Sequence, residues 1–426
     1  MNTDNDLDRV WQCLETGDIP GAIRGLRGVA ATVPLGELAR ALEKAARLAG
    51  FADLAKAAEQ AVAQPASPER LYELGYACVE RGIAFAAIPP LAEAVRRVPG
   101  SAGVRNELVA AYEAEARHGE AVALLEAHEA ELRAWPDRYL LVYNSILGGD
   151  LTRARRHAAA LPAPDEDRWT WAYGRVSRMP NRADAASRAG ALDHLDLRGR
   201  QFALTGGVLT TLSPYGFTAG MTGRYAMHQD DHTSCLHGLR RLVLVLEAAG
   251  VAPTTVSLLD DRGGRIMGLA AADLLGVPTV SYTPTRPDTL VVAYRLEDLA
   301  PEVCATLRER APGQVLYEHA TCWTQPPAVS ADVSGLLRQY GNAPWEEQLF
   351  ARPDGGVGDG ADTRPEADHA AEVLRAGPYD HAGDDDAPAD PDEALGTFTR
   401  TVAGTWLSGT RDRVDSPGPV RSSRFA

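Results

Sequence analysis

Small and apolar residues recur along the first 165 residues at the spacing of a helical hairpin. Alanines at intervals of 32 to 34 residues each follow a turn-like segment such as TGDIPGA or ARHGEA: Ala22, Ala55, Ala87, Ala121 and Ala154. Apolar positions follow each alanine at helical spacing. A repeat of this length is typical of stacked helix pairs, in which a small residue lets the two helices approach closely. The pattern predicts five helical hairpins.

The best-formed unit is residues 68–99, PERLYELGYACVERGIAFAAIPPLAEAVRRVP. Leu71, Leu74, Gly75, Ala87 and Leu91 stand where a tetratricopeptide hairpin has its packing residues, and the chain resembles that family over residues 3–165. The resemblance implies a groove, lined by the first helix of each pair, that binds a protein segment. The candidate partner-binding residues, each alternatively a solvated surface residue, are Arg70, Glu73, Arg105, Asn106, Tyr139 and Asn144.

The hydrophobic period changes after a connection, residues 166–197, that is expected to be helical. From residue 198 to 345, strand-like segments such as TTVSLL, VPTVSY, TLVVAY and QVLYEHAT alternate with Ala/Leu-rich helical segments. LVLVLEAAG is better interpreted as the end of a helix that begins near Thr233 and is capped by Gly250. Strands that alternate with helices predict an α/β domain with a mostly parallel sheet. The fold class is therefore multidomain, with an all-α array followed by an α/β domain.

The loop DDRGGR joins one of these strands to the next helix. In an open parallel sheet, ligands bind where strand ends and helix N-termini converge. Glycines allow close backbone approach, arginines can hold a phosphate or carboxylate, and the aspartates can cap the helix, hold a metal or accept hydrogen bonds from a sugar. The candidate ligand-binding residues are Asp260, Asp261, Arg262, Gly263, Gly264 and Arg265. The alternative is that the loop is only a turn.

The order of these elements resembles a type I phosphoribosyltransferase. VSLLDDRGGRIMGLAAADLLGVPTVSY matches the strand, Gly-Gly turn and helix that hold pyrophosphate in that family. The later strand of the family ends in an acidic pair that binds ribose, whereas Ala293 and Tyr294 stand there in this chain. The resemblance therefore implies a phosphoribosyltransferase-like or Rossmann-like scaffold without the transferase residues. Such a domain can still bind a nucleotide or another small anion; no cofactor is indicated.

The segment GRYAMHQDDHTSCLHG contains a second group of reactive side chains. Imidazole, carboxylate and thiolate are suitable zinc ligands, and the candidate metal ligands are His228, Asp231, His232 and Cys235. The competing interpretation is that Asp-Asp-His-Thr caps the hydrophobic helix that follows. The spacing matches no established zinc motif.

Charge and cysteine content limit the partners. The net charge is −15, which argues against nucleic-acid and anionic-membrane binding, because those surfaces require clustered positive charge. Five widely spaced cysteines without a CxxC pair indicate reduced thiols and a cytoplasmic protein. Residues 346–426 are expected to form an acidic, largely disordered tail with a short amphipathic helix over 393–408.

Two classes of function follow from these features. The main expectation is an adaptor or regulatory protein, in which the helical array binds a protein segment and a non-catalytic α/β domain binds an anionic or nucleotide-like ligand. The alternative is an enzyme, phosphoribosyltransferase-like or metal-assisted, whose site lies between the 260–265 loop and the 228–237 cluster. The alternative requires that these two segments converge in the folded chain.

Overall fold

The computed structural model describes residues 3–351, 357–380 and 382–411. The chain divides into two compact units, of which the first extends to Thr170 and the second begins at Trp171. Within the described ranges, no helix is both long enough and apolar enough to cross a lipid bilayer.

The first unit is a helical array. Its helices are α1 (Thr3–Thr16), α2 (Ile19–Val29), α3 (Leu35–Leu48), α4 (Ala52–Ala63), α5 (Pro68–Glu80), α6 (Ala84–Arg97), α7 (Ala102–Ala114), α8 (His118–Ala127), α9 (Tyr139–Leu147) and α10 (Leu151–Ala159). Consecutive helices pack in pairs, and the second helix of each pair contains one of the five recurring alanines. All five alanines are buried. The prediction of a helical array is confirmed.

One close approach shows why the repeat requires a small residue. Gly75 of α5 faces Leu91 of α6, and a Cβ at position 75 would lie 2.4 Å from the Leu91 Cγ. Leu91 is fully buried in the core of the array, so it has little room to move aside. The glycine therefore sets how closely α5 and α6 pack.

The second unit contains seven further helices and nine strands. The helices are α11 (Thr170–Ala186), α12 (Leu197–Thr205), α13 (His232–Ala249), α14 (Arg262–Leu275), α15 (Pro301–Leu307), α16 (Glu366–Arg375) and α17 (Asp392–Val402). The strands are β1 (Val208–Leu209), β2 (Tyr225–Gln229), β3 (Thr255–Leu258), β4 (Thr279–Ser281), β5 (Thr289–Ala293), β6 (Val315–Cys322), β7 (Val333–Asn342), β8 (Gln348–Ala351) and β9 (Val357–Gly360). These counts refer to the described ranges.

The main sheet is parallel throughout. Its order is β1-β7-β6-β5-β3-β4. Strand β1 pairs with the start of β7, and β2 pairs with the end of β7. From β3 the chain moves outward to β4, then returns to the other side of β3 as β5 and continues to β6 and β7. The direction of strand order therefore reverses between β3 and β5. The expected α/β domain with a mostly parallel sheet is confirmed; β8 and β9 form a separate antiparallel pair.

The described part of the acidic tail differs from the expectation of disorder. Helix α16 packs on α13 and α14, and α17 packs on α13. Leu395, Phe398 and Val402 of α17 are buried, and the ring of Phe398 meets Phe202 edge to face. The composition suggested a solvated chain, but apolar positions four and three residues apart give α17 a face that can be buried. Residues 412–426 lie outside the described residues.

One buried and one partly buried aspartate, Asp332 and Asp390, attach the end of this described segment to the rest of the second unit. Asp332, just before β7, accepts hydrogen bonds from Nε and Nη2 of Arg411 at 2.9 and 2.7 Å and pairs with Arg310. Asp390 accepts hydrogen bonds from Arg198 and Arg241 at 2.8 and 3.2 Å. These carboxylates neutralise arginines that are themselves buried, which is the condition for burying a charge at tolerable cost.

We predict that Gly75→Ala destabilises the array by about 1–3 kcal/mol, because overpacking against Leu91 outweighs the gain in helix propensity. Urea unfolding followed by far-ultraviolet circular dichroism measures the change. Gly103→Ala in α7 is the matched control. No atom lies within 4 Å of a Cβ at position 103, so this substitution should be neutral or stabilising by up to about 1 kcal/mol. Equal effects of the two substitutions would contradict the packing argument.

Candidate functional site

A group of polar side chains is buried under the first turns of α13. Asp230 directly follows β2, Tyr294 directly follows β5, His319 lies in β6, and Cys235 ends the first turn of α13. All four are buried. Parallel strands place their carboxyl ends at one edge of the sheet, and the helix that follows β2 begins there, so residues far apart in sequence meet at this point.

Asp230 is the centre of this group, which we term the Asp230 cluster. Its Oδ2 accepts hydrogen bonds from the Tyr294 hydroxyl and from Nε2 of His319, both at 2.8 Å, and lies 3.7 Å from the Cys235 sulfur. Its Oδ1 accepts from Nε2 of His228 at 3.2 Å and from the backbone N–H of Asp231 at 3.0 Å. The carboxylate is thus fully enclosed by donors, which is how a buried charge is tolerated.

Further residues orient these donors. The hydroxyl of Tyr317, in β6, lies 3.0 Å from Nδ1 of His319, and the Ser234 hydroxyl lies 3.2 Å from Nε2 of His228. Gly238 of α13 lies against this pair, since a Cβ there would come within 2.7 Å of both Nδ1 of His319 and the Tyr317 hydroxyl. The absence of a side chain at position 238 allows α13 to cover the cluster.

Burial and mutual charge shift the acidities within the cluster. Burial alone would raise the pKa of Asp230, but His319 and His228 hold that pKa well below its usual range. Burial, reinforced by the Asp230 charge, raises the pKa of Cys235 and of Tyr294 well above their usual values. The carboxylate is therefore ionised while the thiol and phenol keep their protons. Because the folded pKa of Asp230 is depressed, its stabilising contribution is present above about pH 4 and is lost as the pH falls further.

The DDRGGR loop lies where the strand order reverses. Asp261 is the N-cap of α14 and accepts from the Gly264 N–H at 2.6 Å; Arg262 donates to the carbonyls of Asp362 and Arg364 at 2.6 and 2.8 Å. A Cβ on Gly263 would lie 2.8 Å from the Tyr294 Cβ. The loop therefore adjoins Tyr294, which in turn bonds to Asp230.

The remaining residues of the loop face outward. Asp260 and Arg265 are exposed. The Oδ1 atom of Asp261 is buried and accepts no hydrogen bond, and burial raises the pKa of this carboxyl. A ligand-binding role for residues 260–265 stays a prediction, with Asp261 as the member that retains an unused acceptor.

The four candidate metal ligands do not form one group. Asp231 caps α13 by accepting from the Ser234 N–H at 2.7 Å, while Cys235 and His228 face Asp230. His232 stacks on His369 of α16, with the ring centroids 5.7 Å apart. The described residues contain two groups of three side chains whose metal-ligating atoms lie within 4.8 Å of one another inside each group. The first group is Asp230, Cys235 and His319, and the second is His232, His369 and Glu372.

The candidate partner-binding residues of the array divide into two sets. Arg105, Tyr139 and Asn144 are buried, and Asn144 bonds to His118 and Glu113. Asn106 donates to Asp137 at 3.0 Å. Their observed contacts lie within the array. Arg70 and Glu73 form an ion pair of 2.7 Å on the surface of α5 and stay candidates for contact with a partner.

Sequence reasoning included Asp230 only as part of the 228–237 cluster, left it out of the candidate metal ligands, and missed Tyr294 and His319 as members of a site. His319 lies in a continuous apolar strand, VLYEHATC, where every residue is buried. A histidine and a glutamate inside such a strand are themselves a signal, since buried ionisable groups require partners. Burial raises the pKa of that glutamate, Glu318, to about 7.

The cluster contains groups suited to acid–base chemistry, metal binding or a structural polar core. Comparison of the chain with known protein families, with curated proteins and with solved structures found no match.

We predict that Tyr294→Phe destabilises the second unit by about 1–3 kcal/mol, since it removes a donor from a buried carboxylate and leaves the ring in place. Differential scanning calorimetry checks the change in unfolding. Tyr282→Phe is the matched control, because the Tyr282 hydroxyl bonds to Thr306 at an exposed position and its loss should cost less than about 0.5 kcal/mol. Equal losses of unfolding free energy in the two variants would show that the hydrogen bond to Asp230 stabilises the fold no more than the exposed one does.

Proposed function

We propose that the protein is an interaction adaptor whose helical array, similar to tetratricopeptide repeats, binds a basic protein segment. The observation that carries the proposal is a patch of acidic and aromatic side chains on α5 and α7, the first helices of consecutive hairpins, which pack side by side. We term it the acidic patch; it comprises Tyr72, Glu73, Tyr76, Glu80 and Glu107. Such faces of helical repeats bind extended segments of other proteins.

The electrostatics of the acidic patch favour a cation. Burial, and then the charge of Glu80, raise the pKa of Glu107, so these two carboxylates lie close enough to repel each other. Burial and Glu107 likewise raise the pKa of Tyr72. An arginine or lysine placed between Glu80 and Glu107 would relieve this repulsion.

The aromatic part of the acidic patch supplies apolar area. Tyr72 and Tyr76 stack with their ring centroids 6.2 Å apart, and Tyr76 keeps 46% of its surface exposed. A tyrosine with so much exposed ring offers both apolar contact and cation–π attraction to a basic side chain. The combination is suited to a segment in which basic and apolar residues alternate.

We predict that a fluorescein-labelled peptide of alternating arginine and leucine binds the full-length protein. Glu80→Gln with Glu107→Gln should weaken binding about tenfold or more, because it removes two negative charges, of which the one on Glu107 is partly buried. Fluorescence anisotropy measures the dissociation constant. Binding should also weaken with added salt.

Two controls make this experiment decisive. Glu15→Gln, on the exposed surface of α1, should leave the affinity unchanged. A peptide with glutamate in place of arginine should not bind. If the double variant and the Glu15 variant bind the arginine peptide equally well, the acidic patch is not the docking surface.

A second candidate function is binding of a nucleotide-like ligand by the α/β unit, with or without catalysis. The favouring observation is Asp261, whose unused Oδ1 lies at the point where the strand order reverses between β3 and β5. Ligands of open parallel sheets bind at such points, and a ribose hydroxyl is a donor of the required kind.

This candidate predicts that a nucleoside monophosphate or ribose 5-phosphate raises the melting temperature, by an amount that grows with the logarithm of its concentration above the dissociation constant. Asp261→Asn should abolish that rise, whereas Asp260→Asn, at an exposed neighbouring position, should preserve it. An unchanged melting temperature across both ligands would eliminate the candidate.

A further inference from the structure

We propose that the Asp230 cluster is a zinc site whose protein ligands are Oδ2 of Asp230, Sγ of Cys235 and Nε2 of His319. The three atoms lie within 4.8 Å of one another and come from three separate elements: the end of β2, the start of α13 and the middle of β6. Sulfur, imidazole nitrogen and carboxylate oxygen form a ligand set that zinc prefers. This proposal does not depend on the function of the array.

The geometry of Asp230 is the first argument. Its Oδ2 receives three donors, the Tyr294 hydroxyl, His319 Nε2 and the Cys235 thiol, although a carboxylate oxygen offers about two lone pairs. The third contact, from Cys235, is 3.7 Å long. A single cation would replace two of the converging protons.

One of the three ligand separations already matches that of a tetrahedral ion. With bonds of about 2.0 to 2.3 Å, zinc separates its ligand atoms by about 3.3–3.8 Å. The separation of Asp230 Oδ2 from Cys235 Sγ is 3.7 Å, inside that range. The separation of Asp230 Oδ2 from His319 Nε2 is 2.8 Å, a hydrogen-bond length, and must widen by about 0.5 Å when the proton leaves.

The charge balance is the second argument. The cluster buries the Asp230 carboxylate together with a thiol and an imidazole. Zinc binding displaces the thiol proton to solvent, so the two positive charges of the ion meet one carboxylate and one thiolate. The buried group is then neutral, which removes the cost of an isolated buried charge.

Tyr317 supplies the supporting contact that a zinc-bound histidine requires. When Nε2 of His319 binds the metal, its remaining proton lies on Nδ1, which donates to the Tyr317 hydroxyl 3.0 Å away. Such an outer contact fixes the ring and its tautomer. His228, on the other oxygen of Asp230, orients the carboxylate in the same way.

The direct test is the metal content of the untagged full-length protein, purified without chelators and measured by inductively coupled plasma mass spectrometry. We expect about one zinc per chain. After removal of zinc and addition of Co²⁺, a thiolate-to-cobalt charge-transfer band should appear. Cys235→Ser should lose this band, whereas Cys304→Ser, a buried cysteine that bonds to the Leu296 carbonyl, should keep it.

Tyr317→Phe separates a supporting role in metal binding from a role in folding alone. It should weaken zinc affinity about 10- to 100-fold at unchanged stoichiometry. A purely structural Tyr317 would lower the melting temperature and leave the affinity unchanged.

The proposal is overturned if the wild-type protein neither contains nor takes up zinc at stoichiometric concentration, or if bound cobalt shows no thiolate band. If the Cys235 variant fails to fold, the zinc-site proposal is still tested, because the cobalt spectrum of the wild-type protein and the zinc affinity of the Tyr317 variant are independent measurements.

Discussion

The second unit is organised around the need to satisfy a carboxylate that has no access to water. Asp230 is fully buried, and its two oxygens draw donors from β2, β5, β6 and the start of α13. Each contact is modest by itself, but an unsatisfied buried charge costs more than any one of them provides. The positions of these four elements are therefore coupled through one side chain, and a shift of any of them exposes the charge to an apolar interior.

Two Asp-Asp pairs, at 230–231 and 260–261, illustrate how similar motifs acquire different roles. In both pairs the second aspartate caps a helix, since Asp231 accepts from Ser234 N–H and Asp261 from Gly264 N–H. The first aspartates differ: Asp230 is buried among histidines, whereas Asp260 is exposed. Capping depends on local sequence, but the environment of the preceding residue depends on which strands lie beside it.

The same distinction explains how far the sequence could be interpreted. The spacing of the alanines, of which Ala87 and Ala121 are fully buried, predicted the helical array, because hairpin packing is a local and periodic constraint. The parallel sheet followed from alternating strands and helices. The Asp230 cluster could not be predicted, because Tyr294 and His319 are separated from Asp230 by 64 and 89 positions in the sequence. Only the strand order of the sheet brings them together. The apolar spacing of helix α17 was recognisable in the sequence, but its packing on α13 was not.

Asp390 shows a further property of the acidic segment. Its carboxylate lies between Arg198 and Arg241, so its negative charge is compensated inside the fold. Both arginines are buried. A count of acidic residues alone therefore overstates the negative charge that this segment presents to an approaching macromolecule. Burial changes where these charges lie and not their sum, so the net charge of the chain stays −15 and only the local field of the segment is reduced.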